Sequence, residues 1–331
     1  MGWHKDSVIL SEAKNLSVIL SEAKNLKEVS MSADKEHLKV RSLLRLFPRS
    51  WRPYILHMRP RAFPIVAAHF SVGALLACGL QITPQAIGRW IVGVLLWAGL
   101  GHSGTLALNS AIDRDEGDIG YLSDPPPVPR FLWLYALSLL FLGGIGAAFL
   151  SWRFWGAYAI CAVMAVLYSV PPVRLKAIAG ADVLNNAFGY GAFTLYGGWA
   201  AMDRALTPAM WLVLAGFFCL FAGFYPLTQI YQYDEDVARG DRTLVIALGK
   251  RGALRWAIAM VVAAFAFMGT AVGAYHLTAW SSVLLAAFVA WMAILLPWVR
   301  HVHAYPEQKG MYRALWAWAL TDISVILALV L

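Results

Sequence analysis

The sequence predicts an all-α fold: a polytopic bundle of nine helices in a membrane. Three observations carry that prediction. Hydrophobic residues make up 60% of the 331 and charged residues 14%, against about half and about a quarter in a soluble domain. Nine stretches approach the roughly 20 apolar residues a bilayer crossing needs, near 63–83, 91–112, 131–150, 154–170, 183–202, 208–230, 254–275, 280–299 and 314–331. Basic residues then fall on alternate loops. Arg114, Arg130, Arg174, Lys176, Arg239, Arg242, Lys250, Arg251, Arg255, Arg300, Lys309 and Arg313 follow the second, fourth, sixth and eighth stretches, whereas the opposite loops hold Arg89, Arg153 and Arg204. Excess Lys and Arg marks the cytoplasmic side. The N-terminus and the four basic loops are therefore expected in the cytoplasm.

Two segments precede the bundle. "SVILSEAKNL" occurs at Ser7–Leu16 and again at Ser17–Leu26. Residues 1–30 are expected to be a disordered, repeat-containing extension, with Met31 an alternative start. Glu and Lys interrupt its short apolar pieces, unlike a signal peptide. Residues 31–62 form a basic segment with Arg41, Arg45, Arg49, Arg52, Arg59 and Arg61, suited to an amphipathic helix among lipid headgroups. Residues 63–331 are the membrane domain. Basic cytoplasmic loops account for the net charge of +8, and no nucleic-acid partner is invoked. Cys78, Cys161 and Cys219 lie in apolar runs and read as buried thiols rather than a disulfide framework.

Against this apolar background two acidic runs stand out. "NSAIDRDEGD" (Asn109–Asp118) ends the second stretch with Asp113, Asp115, Glu116 and Asp118, and "YQYDEDVARGD" (Tyr231–Asp241) follows the sixth. On a continuing helix Asn109, Asp113 and Glu116 share one face, as do Gln229, Gln232 and Asp236. An ionised Asp costs about 2.5–3.5 kcal/mol at the bilayer centre, and acids at helix C-termini oppose the dipole. A divalent cation would relieve both. Hard oxygen donors suit Mg²⁺, which often shares its shell with phosphate. "YSVPPVRLK" (Tyr168–Lys176) reaches the same side. Pro171 and Pro172 stop the helix there, and Arg174 and Lys176 suit an anionic ligand. Each run alone is ordinarily a solvated face. Together they suit a diphosphate, with the bundle around them holding a lipid chain.

These three stretches, with "MRP" at Met58–Pro60 and "LG" at Leu248–Gly249, resemble the UbiA superfamily of intramembrane prenyltransferases over about residues 55–331. The resemblance implies a Mg²⁺-dependent transfer of a polyprenyl group from an isoprenyl diphosphate to a lipophilic acceptor, aromatic acceptors included. It implies metal positions at Asn109, Asp113 and Asp236, with Asp115, Glu116, Asp118 and Gln232 as further ligand candidates. Tyr168, Arg174, Lys176 and Arg59 would contact the diphosphate, and Asp113, Asp236 and Lys176 would be catalytic. Three positions depart from the family pattern: Ser110, Gly117 and Gln232 stand where it has aspartates. Phe188, Tyr190, Phe193, Tyr196, Phe224 and Tyr225 are candidates for stabilising a carbocation. Two alternatives stand beside transfer. One is a terpene cyclase, in which the cation closes on its own double bonds. The other is an ion-binding transporter, for which the last three stretches offer Asp322 with no basic partner evident. The sequence names neither the acceptor, the donor length nor the oligomeric state.

Overall fold

The computed structural model describes residues 44–114, 125–273 and 281–330. The repeat-containing extension, the start of the basic segment and Asp115, Glu116 and Asp118 lie outside the described residues. Residues up to Pro53 belong to a unit of their own. Within it Leu44–Leu46 forms a 3-10 turn, and Arg52 Nε donates to the Phe47 carbonyl at 3.2 Å. The second unit, Tyr54–Leu331, is the helical bundle.

A helix lies at each of the nine expected stretches. They are α1 (Phe63–Cys78), α2 (Pro84–Asp113), α3 (Leu132–Ala148), α4 (Trp152–Ser169), α5 (beginning with Ala181–Asn186 and ending with Thr194–Ala201), α6 (Pro208–Ile230), α7 (Leu244–Gly273), α8 (Ser281–Arg300) and α9 (Glu307–Val330). They are not equal as crossings. Among the described residues six helices are long and apolar enough to span: Arg52–Cys78, Pro84–Asp113, Pro208–Ile230, Leu244–Gly273, Ser282–Arg300 and Glu307–Val330. Leu132–Ala148 is apolar but shorter. Arg153 lies in the first turn of α4, and a π-helical turn at Ala187–Phe193 divides α5. A second π-helical turn, Leu95–His102, lies inside α2. Extended structure among the described residues is a single parallel bridge, Ile178 to Arg242. The protein is an all-α, multi-pass integral membrane protein.

Local chemistry sets the helix starts. Thr83, Ser151 and Thr207 cap α2, α4 and α6 by accepting from the amides of Ala86, Phe154 and Met210. Pro84 and Pro208 sit at the first helical position, where a missing N–H costs nothing. Small residues then let helices approach, as lipid-phase packing requires. At the α1–α5 crossing a side chain on Gly73 would collide with the Leu195 carbonyl, and one on Gly198 with that of Phe70. One core joins α6, α7, α8 and α9 through Phe217, Leu220, Leu254, Trp291, Trp298 and Trp318. A second joins α1, α2, α4 and α5 through Phe70, Trp97, Phe154, Tyr158 and Ala200. The last turns of α2, α4 and α6 and the starts of α5 and α7 meet at one end. Asn109, Asp113, Arg174, Lys176 and Asp241 come together there.

Candidate functional site

The first acidic run brings Asn109 and Asp113 together on the last turn of α2. They are four residues apart and face the same cation. Lys176 Nζ donates to Asn109 Oδ1 at 2.8 Å and also contacts Asp113 Oδ2. Ser169, at the end of α4, donates to the same Asn109 oxygen at 3.3 Å. Lys176 is buried, with 9% of its surface exposed. An ammonium so enclosed requires the carboxylate beside it.

Arg174 links the two acidic runs. Its guanidinium lies 3.6 Å from Asp113 Oδ1 and 3.0 Å from Asp241 Oδ1. The loop that carries it is pinned to the second run, because the Arg242 amide donates to the Ala177 carbonyl at 3.1 Å. Two of the site's arginines adopt the left-handed region: Arg59 at φ 51° and Arg174 at φ 36°. Non-glycine residues seldom stay there unless their surroundings enforce it. Arg59 itself reaches α2 and donates to Ser110 Oγ at 3.2 Å. Ser110, which replaces an expected aspartate, is therefore fully buried and serves as an acceptor for Arg59.

The second run forms a short helix, Tyr233–Arg239, ended by Gly240 at φ 74°. Glycine has no side chain to oppose that conformation. Gln232 is half-buried and its carbonyl accepts from the Asp236 amide at 3.0 Å. The carbonyl of Asp236, itself buried, accepts from the Asp241 amide at 3.1 Å. Tyr168 from α4 and Tyr225 from α6 join hydroxyls at 2.6 Å. Asp113 lies within electrostatic reach of Tyr168, and Asp236 of Tyr225. Thus Asn109, Asp113, Arg59, Tyr168, Arg174, Lys176, Asp236 and Gln232 fall at one end of one bundle. The contact between the runs goes through Arg174 and Asp241.

Two carboxylates escaped the sequence reading. Asp241 ends the second run, where its sequence position points to no role. Asp182 was not singled out. It is fully buried and accepts from the Gly180 amide (2.8 Å), Gln229 Nε2 (3.1 Å) and the Leu244 amide (3.0 Å). It ties the start of α5 to the end of α6 and the start of α7. Its sequence signal was only an Asp opening an apolar helix. Asp322 has a partner that sequence did not reveal: His69 Nδ1 lies 2.8 Å from Asp322 Oδ1, and His69 Nε2 lies 3.0 Å from the Gly191 carbonyl.

Among the described residues no group of three or more His, Cys, Asp and Glu side chains comes together for a metal. The oxygen donors nonetheless fit a hard cation. Asn109 and Asp113 already converge on a single positive charge, the Lys176 ammonium, which marks a cation position.

Acids, Arg and Lys gathered where the helices of a polytopic bundle end define an intramembrane protein with a charged site at one end of its apolar core. The chain belongs to the UbiA prenyltransferase family, whose model matches residues 66–320; it is a prenyltransferase. A digeranylgeranylglyceryl phosphate synthase of Natronomonas pharaonis is 29% identical over 197 residues, 58% of this chain and 68% of that one. A 2-carboxy-1,4-naphthoquinone phytyltransferase of Synechocystis sp. is 21% identical over 287 residues, 79% of this chain and 87% of its own. A solved UbiA homologue from Archaeoglobus fulgidus, bound to GPP and Mg²⁺, shares the fold with a TM-score of 0.61 at 21% identity, covering 83% of this chain and 99% of that one.

Proposed function

We propose that the protein transfers a polyprenyl group from an isoprenyl diphosphate to a lipophilic acceptor within the membrane, at a site opening to the cytoplasm. The observation that carries this reading is the shared ammonium: Asn109 and Asp113 close on Lys176, with Arg174 alongside, above a bundle lined with aromatic rings. The GPP and Mg²⁺ bound by the Archaeoglobus homologue support the same choice of donor. Lipid orientation rests on the Lys and Arg distribution.

Asn109 and Asp113 would hold Mg²⁺ from α2, with Asp236 and Gln232 from the second run. When bound, the ion offsets diphosphate charge and helps the leaving group depart. Lys176 and Arg174 would turn from the carboxylates to the phosphate oxygens, meeting charge where it grows. Arg59 lies beside them through Ser110. The allylic C–O bond breaks and its electron pair leaves with the diphosphate. The acceptor's nucleophilic atom then supplies a pair to the allylic carbon and loses a proton. Tyr190 stacks on Phe221, and Phe221 on Tyr225, with centroids 5.5 and 6.2 Å apart. Their π faces suit a passing carbocation. Ion transport through Asp322 is less well supported, since His69 already engages that carboxylate.

The test is an assay of the purified full chain with labelled geranyl and geranylgeranyl diphosphates, with and without Mg²⁺, against a panel of acceptors. Mg²⁺-dependent diphosphate release is expected. Release that yields a cyclic hydrocarbon without any acceptor would make the protein a cyclase. No release with any pair would overturn both.

A further inference from the structure

An open cavity lies within the bundle between the two π-helical turns. Trp97 and His102 enter it from the turn in α2, Tyr190 from the turn in α5, and Asn185 from just before that turn. Tyr158 of α4 and Leu140 of α3 also line it. A π-helical turn disrupts regular helix hydrogen bonding and is frequent at functional sites. Two of them facing one cavity is an arrangement that packing alone does not demand.

The polar atoms here are unusual. Both ring nitrogens of His102, the hydroxyl of Tyr158 and Oδ1 of Asn185 are buried without a hydrogen-bond partner among the described residues. His102 is 9% exposed and Tyr158 3%. Each such group left unsatisfied costs free energy, so three on one cavity call for a ligand atom. A hydrocarbon chain would leave them unsatisfied. A charged head is equally unsuited. Among the described residues that line the cavity there is no Lys, Arg, Asp or Glu, and a carboxylate or phosphate would lose its hydration with no counter-ion in that lining; Arg59, which acts on His102 from outside it, is engaged by Ser110.

Packed rings join the cavity's wall to the charged end of the bundle. His102 packs edge-on against Tyr190 with centroids 5.4 Å apart. Tyr190 begins the stacked series through Phe221 to Tyr225, whose hydroxyl meets Tyr168. A molecule seated in the cavity would lie along the same aromatic wall as the allylic group.

We infer that this cavity seats the acceptor, and that the part it takes is a neutral ring or chain bearing a hydroxyl or carbonyl oxygen, held by His102 and Asn185. The word acceptor rests on the prenyl-transfer reading above; the preference for a neutral oxygen rests on the cavity alone.

The probes are 2-methyl-1,4-naphthoquinone, which is neutral, and 1,4-dihydroxy-2-naphthoate, which carries a carboxylate. Equilibrium binding of each is measured to the full chain in lipid nanodiscs. The neutral probe is expected to bind at least about tenfold more tightly, the scale of one or two hydrogen bonds. His102→Leu and Asn185→Leu should each weaken it about tenfold, while thermal stability holds or rises because an unsatisfied buried group is gone. A merely structural role would lower stability in both variants. Equal or tighter binding of the carboxylate, no binding of the neutral probe, or unchanged affinity in both variants would overturn the inference. Labelled geranyl diphosphate with Mg²⁺ is titrated in parallel. Failure of that arm alone would remove the donor assignment and leave the neutral-oxygen site standing.

Discussion

Asp113 and Asp182 are carboxylates at the same end of the bundle, and they are neutralised in opposite ways. Asp182 accepts from two backbone amides and the amide of Gln229. Those donors are part of the framework and have nowhere else to go. Asp113 meets the ammonium of Lys176 and the guanidinium of Arg174, both on flexible side chains. Such partners can be exchanged for a bound ion and its phosphate. The contrast separates an acid fixed by the framework from one held by side chains that can move, the one the proposed function puts to work, and burial alone does not make that distinction. Asp322, held by His69 between the first and last helices, belongs with Asp182.

The comparison can be broken most decisively at Asp113. Asp113→Asn should keep the fold and lower turnover about a thousandfold, the upper range for losing one preorganised electrostatic group. Steady-state kinetics alongside a melting curve would check it, and retained turnover would remove the metal role. Asp182→Ala should do the reverse. It leaves two amides and Gln229 without an acceptor, and a stability loss of about 3 kcal/mol or more is expected, read as a lowered melting temperature in detergent. Lys176→Ala should raise the donor KM about tenfold, the worth of one charge-assisted hydrogen bond. An unchanged KM would contradict its diphosphate contact. Gln232→Asp sharpens the picture from the other run: it adds the carboxylate expected there, and the Mg²⁺ concentration for half-maximal rate should fall severalfold. The smallest effect is expected far from the site. Arg153 and Asp203 form a partly exposed ion pair at 2.8 Å. Arg153→Ala should shift stability by about 0.5 kcal/mol or less and leave kinetics unchanged.

What sequence revealed followed from what is local. Apolar runs disclosed where nine helices lie among the described residues, six of them long and apolar enough to span, because a helix in lipid needs a continuous greasy stretch. The four-residue spacing of Asn109 and Asp113 disclosed their shared face, and the broken helix at Pro171–Pro172 disclosed where Arg174 and Lys176 would be delivered. The π-helical turns in α2 and α5 left no such trace, since their composition matches that of the helices around them. Nor did the His69–Asp322 pair, whose partners lie 253 residues apart. Asp182 looked like an ordinary first-turn acid until α6 and α7 were seen to close over it. Ser110 read as a lost ligand and proved to be the seat of Arg59.

The ammonium lodged between Asn109 and Asp113 also bears on the order of events. A tethered charge at that spot acts as a built-in rival to any free ion, present at high local concentration and never diffusing away. On the proposed reading, magnesium arriving by itself would have to displace it with nothing offered in return. In the proposed reaction, magnesium arriving with a diphosphate would supply the lysine with a new anion to embrace, and a resting protein of this design would welcome the pair together and pass over the metal alone.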